Sequence, residues 1–312
     1  MFGTLSLIQE YRRRCERLDP LMSADVPSAV AAKYWLERSR MMVDTAEGAK
    51  PSVPLEAIRL YREIDDREGL YMALAYAAIG AHFPLAESAA MVEEMRALEQ
   101  ARWPFPLRHV RLVAEVVTLQ RERHFAQACA VVQAELTQAR AEGLDGWIAV
   151  DLNFLADMTL AAGDAVEAVR LAREGLAIDR RRRSQNILHT LATLTTALLA
   201  LEAAGEARTT LAEFLAESRQ REWDQLDAKA AGLCARLAAL DGRLASAAKL
   251  LGFAGNMPRT AAEKFPNEAN AFRQAWLAVT EGLPAQAVER LLGEGAALSR
   301  EMVVELTLAE SE

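Results

Sequence analysis

Few side chains in this sequence combine the residue type and the spacing that catalysis or metal binding requires. The three cysteines, Cys15, Cys129 and Cys234, lie more than a hundred residues apart from one another. The four histidines fall in different predicted helices or turns: His82, His109, His124 and His189. No CxxC motif and no zinc-type Cys/His spacing occurs. We therefore expect no metal site, and we interpret the cysteines as reduced, mostly buried thiols of a cytoplasmic protein.

Motifs that carry chemistry by themselves are also absent from the sequence. There is no GxxxxGK[ST] phosphate loop, no GxGxxG after a strand, no HExxH and no GxSxG. An enzyme needs two or three reactive groups that converge on one site, and the pattern offers no such set. The sequence thus predicts a protein without catalysis and without a cofactor, and an enzyme on an α–α scaffold is the least favoured alternative.

The strongest local charge is the run Arg180, Arg181, Arg182 and Arg183. One interpretation places it at the end of a helix, where cations interact favourably with the helix dipole. The other is a basic contact with a DNA backbone or an acidic partner. The whole chain has a net charge of −8 and a pI near 5.3, which argues against direct nucleic-acid binding by the molecule as a whole.

The elements that must position these residues are predicted to be helices. Apolar residues make up 52% of the chain and aromatic residues only 6%, and no segment alternates with period two. The N-terminus becomes charged before a signal peptide could form, and the longest apolar stretch, 187–201, is too short for a membrane span. The fold class predicted is all-α, with no membrane association.

A repeat of about forty residues organises the middle of the chain. Ala128, Ala168, Ala207 and Ala247 occupy matching positions in "FAQACAVV", "AVEAVRLA", "EARTTLAEF" and "LASAAKLL", at spacings of 40, 39 and 40. A weaker copy places Ala86 forty-two residues before Ala128. Small residues let two helices cross closely, and Gly163 suits the intervening turn. The pattern is typical of tetratricopeptide-like repeats, with a period longer than their usual ~34 residues.

These signals predict a right-handed superhelix of antiparallel helix pairs with a helical C-terminal cap. The sections are 1–103 with irregular N-terminal helices, 104–256 with four regular repeats, and 257–312 with the cap, together forming one continuous solenoid. The predicted pairs are 107–121/124–142, 145–162/164–181, 185–201/204–220 and 224–240/243–256. The remaining predicted helices are 4–18, 28–46, 54–65, 69–80 and 84–101 at the N-terminus, and 268–281, 284–292 and 299–309 in the cap.

Two residues depart from the repeat pattern. Glu115 stands where a leucine is expected, so we predict either an outward-facing side chain or a partly buried acid. Glu202 stands at the turn position that Gly163 and Gly242 hold in other repeats, which predicts a turn slightly later, near Gly205.

In such a superhelix the first helix of each pair lines a concave face, and its exposed positions form a candidate binding site. The predicted ligand or partner residues are Val150, Asn153, Asp157, Leu160, His189, Thr196 and Arg236. The equivalent positions Ala192, Leu199, Lys229, Gly232, Ala239, Val110, Val113, Val117 and Gln120 complete this face. Its mixed apolar and polar character suits an apolar peptide, a helix or a small apolar ligand. The alternative is that Asn153 and Asp157 belong to a solvated helix face.

The C-terminal third carries a family resemblance. Residues 245–308 contain "AAKLLG" (Ala247–Gly252), "PNEA" (Pro266–Ala269) and "EGAAL" (Glu294–Leu298) followed by Ser299. This sequence resembles the end of large bacterial transcriptional regulators with a winged-helix or LuxR/MalT-like DNA-binding domain, a STAND-class P-loop ATPase and a C-terminal tetratricopeptide-like region. Residues 57–81 and 101–115 look like earlier parts of that region, so the resemblance extends over most of 28–309.

The resemblance implies a sensing role, because this region of such regulators is taken to detect an inducer or partner and to control the ATPase. The sequence has neither the DNA-binding domain nor the ATPase, so it represents a separate module or a fragment, and no ATP-binding residue can be assigned. The expected partner is a protein, such as an ATPase or a DNA-binding regulator, or a small apolar effector. The alternative is a stand-alone scaffold or adaptor unrelated to transcription.

Overall fold

The computed structural model describes residues 13–22, 25–42, 51–80, 83–220, 228–255 and 265–309. Every regular element in these ranges is helical, and none of them contains a β-strand. The predicted all-α class is therefore confirmed for the described part of the chain. The chain divides into two compact units, Met1–Glu135 and Leu136–Glu312. The division falls at a different place from the predicted section boundaries, and the single continuous solenoid stays a prediction.

A short helical segment at residues 13–18 leads into a 3-10 turn at Asp19–Leu21. The helices that follow are α1 (Ser28–Met42), α2 (Ser52–Glu63), α3 (Arg67–Ile79), α4 (Leu85–Leu98), α5 (Phe105–Arg121), α6 (Phe125–Ala141), α7 (Asp145–Ala161), α8 (Ala165–Arg182), α9 (Ile187–Ala200), α10 (Ala204–Gln220), α11 (Ala228–Leu240), α12 (Leu244–Ala254), α13 (Pro266–Gly282), α14 (Ala285–Ala296) and α15 (Arg300–Leu308).

These bounds agree closely with the predicted ones wherever both can be compared. The predicted helix parts 4–12, 43–46 and 224–227 lie outside the described residues, as do His82 and the side chain of Lys229. In the first unit, α3 contacts α1, α2, α4 and α5, and its Tyr71 and Leu74 lie at the centre of the core. In the second unit, α7 packs with α8, α9 with α10, and α11 with α12, as three helix hairpins.

The hairpin turns share one backbone arrangement. Arg123, Gly163, Glu202 and Gly242 all have positive φ, at 63°, 102°, 56° and 75°. In each turn the amide of the next residue donates to the carbonyl five residues back, as in a Schellman cap: His124 to Leu119, Asp164 to Thr159, Ala203 to Leu198, and Arg243 to Ala238. The predicted delay of the third turn to Gly205 is wrong. Glu202 itself adopts the left-handed conformation, and Gly205 lies inside α10.

The small residues that define the forty-residue spacing lie at buried positions. Ala128, Ala168, Ala207 and Ala247 are completely buried. The weaker copy fails, because Ala86 is exposed. Ser88 of the same helix is buried in its place and accepts a hydrogen bond from Arg121 at 3.0 Å. The repeat register therefore begins with the helix pair α5 and α6.

Ion pairs run along the second helices of the repeats. Arg140 pairs with Glu174, Arg173 with Glu206, and Arg180 with Glu213, and each pair joins one second helix to the next. The side chains are about one-third to two-thirds exposed, so each pair contributes little stability by itself. The three pairs span 34, 33 and 33 positions, so they join these helices at a regular interval.

Candidate functional site

The candidate site lies on the surface of the second unit formed by the first helices α7, α9 and α11, which we term the first-helix face. The predicted binding residues from Val150 to Arg236 belong to these three helices. Helix α13 of the same unit lies across this face and contacts all three of them. The sequence predicts an open wall for a ligand, whereas in the structure α13 covers part of this wall, and ligand binding there stays a prediction.

Asn267, at the start of α13, fixes that helix to α7. Its Nδ2 atom donates to the Oδ1 atom of Asp157 at 2.7 Å and to the backbone carbonyl of Asp157 at 2.8 Å. Asn267 is buried and Asp157 is half-buried. One predicted binding residue thus binds a side chain, but the side chain belongs to the same molecule.

Further along, α13 lies close to the backbone of α11. A Cβ atom built on Gly232 would lie 3.3 Å from Cδ2 and 3.4 Å from Cβ of Phe272. Gly232 is one of the positions predicted to face the groove, and the absence of its side chain leaves room for the Phe272 ring. At the end of α13, Gly282 lies against the Leu244 side chain of α12. The contacts therefore follow α13 from its first turn to its last.

The other predicted binding residues divide into exposed and buried ones. His189 is exposed and Val150 is half-buried. Leu160 and Thr196 are buried, and the Thr196 hydroxyl donates to the carbonyl of Ala192 at 2.8 Å. The predicted exposure of Leu160 and Thr196 is wrong: Leu160 is buried near the end of α7, and Thr196 lies in α9, whose residues from 187 to 199 are nearly all buried.

Two polar atoms on the first-helix face lack hydrogen-bond partners within the described ranges. They are Oδ1 of Asn153, one turn before Asp157 on α7, and Nε of Arg236, one turn after Gly232 on α11. The Arg236 side chain is only 12% exposed, and its Nη2 atom lies 3.4 Å from Glu202. Buried polar groups are normally paired, so these two atoms mark where α13 fits the face incompletely.

The arginine run occupies the last turn of α8 and its C-cap, with Arg183 in the left-handed conformation. Arg180 makes an ion pair with Glu213 of α10, with its Nε atom donating to Oε1 at 3.1 Å. The Arg182 guanidinium lies beside Gly146, at the rim of a shallow depression of about 270 Å³ at the start of α7. The helix-end interpretation is confirmed for its position, and Arg180 is committed to an intramolecular contact.

The first unit contains a buried polar network around Glu115. Arg111 donates to Glu115 at 2.6 Å and to Glu99 at 2.7 Å, Arg96 pairs with the other oxygen of Glu115, and the Tyr71 hydroxyl donates to Glu99 at 2.6 Å. Glu115 is 7% exposed, which confirms the partly buried acid of the two alternatives.

Charge pairing controls the protonation of this network. Burial by itself would raise the pKa of the Glu99 carboxyl, but the hydrogen bonds from Arg111 and Tyr71 outweigh it and hold that pKa below its usual value. Burial and the Glu99 carboxylate raise the pKa of the Tyr71 hydroxyl. The Glu99 carboxylate is therefore charged and paired, which is the state that a structural network requires.

The histidines of the described ranges do not come together in one site. His109 is buried beside Phe105, whereas His124 is exposed and lies 3.2 Å from Glu122. No group of three or more His, Cys, Asp or Glu side chains in these ranges could hold a metal ion. Within the same residues, no helix combines the length and the apolar character that crossing a bilayer requires.

Comparison of the sequence with models of known protein families finds no match, and a comparison with curated proteins finds none either. The functional assignment therefore depends on the geometry of the first-helix face and on the residues of the C-terminal third.

Proposed function

We propose that the chain is a non-catalytic interaction and sensing module of a bacterial transcriptional regulator, built as a tetratricopeptide-like right-handed superhelix and located in the cytoplasm. The observation that supports binding is the seating of α13 on α7, α9 and α11. A surface that accommodates an entire helix, with an amide–carboxylate anchor and a glycine opposite an aromatic ring, has the properties of helix-in-groove recognition.

The link to transcription is supported by the C-terminal third. The segments resembling the regulators fall on defined elements: Ala247–Gly252 in α12, Pro266–Ala269 at the start of α13, and Glu294–Leu298 at the end of α14. The partner expected from this resemblance is a P-loop ATPase or a DNA-binding regulator. The stand-alone scaffold remains the second candidate, because the first-helix face would serve either role equally well.

The proposal is tested by affinity capture of the full chain in its native host, followed by mass spectrometry of the bound proteins and small molecules. We expect an ATPase with a DNA-binding domain among the bound proteins. Its recovery should fall at least tenfold with the double variant Asn153→Ala/Asp157→Ala, which alters the first-helix face.

The matched control replaces Arg181 and Arg183, which lie at the end of α8, by Gln. This variant should retain the partner at low salt, since exposed charges chiefly affect the salt dependence of association. Capture of proteins unrelated to transcription would favour the scaffold. Loss of the partner with the arginine variant alone would place the binding site at the run Arg180–Arg183 and not on the first-helix face.

A further inference from the structure

We propose that α13 is a displaceable occupant of the first-helix face, and that a partner helix of related chemistry binds there in its place. The inference rests on the proposed function, since it names the class of partner for the same surface. Three observations support it: which side chains α13 buries, which polar atoms it leaves unpaired, and how its neighbour α14 is packed.

The buried stripe of α13 consists of small and polar side chains. Asn267, Ala271, Ala275 and Val279 recur every four residues and face the rest of the unit, together with Glu268. Two large apolar residues of the same helix are partly exposed: Trp276 is 39% exposed and Leu277 is 48% exposed, whereas Phe272 is half-buried against Gly232. Aromatic residues supply the most apolar area when a helix packs in a core. The seating of α13 therefore leaves part of its large apolar surface exposed and relies on small side chains and the Phe272 ring.

The unpaired atoms point to a better-matched ligand. The Oδ1 atom of Asn153 lies one turn from the Asp157 anchor, and α13 brings no donor to it. The Nε atom of Arg236 lies one turn from the Phe272 contact, and it too lacks an acceptor. A ligand with a donor at the first position and a carboxylate or amide oxygen at the second would satisfy both atoms, which α13 does not.

Helix α14 shows how this chain builds a permanent contact. A Cβ atom on Gly252 of α12 would collide with the backbone carbonyl of Leu292, and one on Gly295 of α14 would collide with the carbonyl of Lys249. The two backbones are thus in direct contact at two points, and Lys249 adds an ion pair to Glu294 at 2.9 Å. The close contacts of α13 involve side chains instead: the Phe272 ring lies against Gly232, and the Leu244 side chain lies against Gly282.

These features define the partner by its chemistry. It is an amphipathic helix that carries a side-chain amide in its first turn and an aromatic residue five positions later, as Asn267 and Phe272 do in α13. Small residues every four positions bring it close to α7 and α11. Because such a helix competes with α13 for one face, binding of the partner and seating of α13 are mutually exclusive.

The test uses a fluorescein-labelled peptide with the sequence of residues 265–282 and measures its binding to the full chain by fluorescence anisotropy. In the wild-type chain the tethered α13 has a high effective concentration and should suppress binding. The double variant Asn267→Ala/Phe272→Ala weakens α13 in the chain but leaves the peptide unchanged, so we expect at least tenfold tighter binding. Adding Asp157→Ala to this variant should remove the gain.

A disulfide provides the reciprocal test. The distance of 3.4 Å between a Cβ atom at Gly232 and Cβ of Phe272 suits a disulfide, whose Cβ atoms lie about 3.8 Å apart. The variant Gly232→Cys/Phe272→Cys should bind no peptide when oxidised and bind it again after reduction. Phe272→Cys alone, treated with the same oxidant, is the matched control.

The proposal is overturned if the weakened chain binds the peptide no better than the wild-type chain, or if the oxidised chain binds it equally well. Loss of native helix content in the weakened chain, seen by circular dichroism, would also overturn it, since α13 would then be part of the permanent core. The peptide assay contains no host protein and is independent of the link to transcription. Capture of the same regulator by both the oxidised and the reduced chain would refute the displacement of α13 but not the proposed function. Peptide exchange without a captured regulator would refute only the proposed function.

Discussion

The helices that end this chain are attached in two different ways. Helix α13 lies on the first-helix face through a narrow stripe of small residues and the Asn267 anchor, with large apolar side chains turned to solvent. Helix α14 packs against α12 with glycines in direct contact with the opposite backbone. A continuous stretch of sequence thus contains one helix held through side chains and one held through direct backbone contact, although the sequence pattern predicts a single cap.

Helix α15 is also anchored, but through charged side chains and not through contact between backbones. Arg243 donates to the carbonyls of Leu306 and Thr307 at 2.6 and 3.1 Å, and Arg208 donates to the carbonyl of Ala309 at 3.0 Å. Asp241 pairs with both guanidinium groups. Two cations at the C-terminus of α15 also complement its helix dipole. In the structure the end of the chain is thus anchored by the backbone contacts of α14 and the arginine contacts of α15, and α13 is the helix that we propose to exchange.

The largest effect is expected at the contact between α12 and α14. Gly252→Ala places a methyl group against the backbone of Leu292, which cannot yield as a flexible side chain could. We expect a loss of about 3 kcal/mol in the free energy of unfolding, measured by urea denaturation. The control Gly293→Ala, where a Cβ meets no atom within 4 Å, should be neutral or stabilise α14 by up to about 1 kcal/mol. Equal effects of the two variants would show that the backbone contact at Gly252 does not hold α14 in place.

A smaller loss is expected when the acid of the α15 anchor is neutralised. Asp241→Asn leaves the Arg243 side chain, which is 12% exposed, without its charged partner. We predict a destabilisation of about 2 kcal/mol by chemical denaturation, the range for a hydrogen bond between charged groups. Glu206→Gln is the matched control, because its ion pair with Arg173 is exposed and should change stability by no more than about 0.5 kcal/mol. A loss below that for Asp241→Asn would contradict the anchoring role of α15.

The smallest effect is expected when α13 is weakened. Phe272→Ala should cost about 1 kcal/mol, since the ring is only partly buried. Cys234 provides a local reporter that separates α13 from α15. Burial raises the pKa of its thiol to about 11, and Thr307 of α15 is hydrogen-bonded to it. At pH 8 its reaction with a thiol reagent therefore requires local opening.

We expect Phe272→Ala to leave the labelling rate of Cys234 at the wild-type value and Asp241→Asn to increase it, as measured by mass spectrometry of the labelled peptides. Faster labelling in Phe272→Ala would mean that α13 and α15 open together. The proposed difference in attachment between α13 and α15 would then be wrong.

The helices could be predicted from the sequence because their signals are local. Apolar spacing, small residues such as Ala168 and Ala247, and turn glycines such as Gly163 act within one hairpin, so they fix its ends and its register. The all-helical character follows from the same local pattern. The residues of the first-helix face were also identified correctly as members of the three first helices.

The location of α13 could not be predicted, because it depends on contacts between residues far apart in the sequence. Asn267 reaches Asp157 across 110 positions, and neither residue type by itself indicates a partner. A usable signal does exist: the spacing of Asn267, Ala271, Ala275 and Val279 marks a narrow buried stripe on a helix whose tryptophan lies outside it. The position of the turn at Glu202 was predicted wrongly for a related reason. Its αL conformation, unfavourable for a non-glycine residue, is imposed by the packed hairpin on both sides of it.

The ion pairs along the second helices have a consequence for how such a chain can change its length. In α8, Glu174 accepts from Arg140 of the preceding second helix, and the adjacent Arg173 donates to Glu206 of the following one. Helix α8 therefore presents a negative charge toward α6 and a positive charge toward α10. A forty-residue segment copied or deleted as a whole would leave complementary charges at the new junction. Duplication of such a segment in the gene could lengthen the array, and its deletion could shorten it, without a second mutation at the new junction.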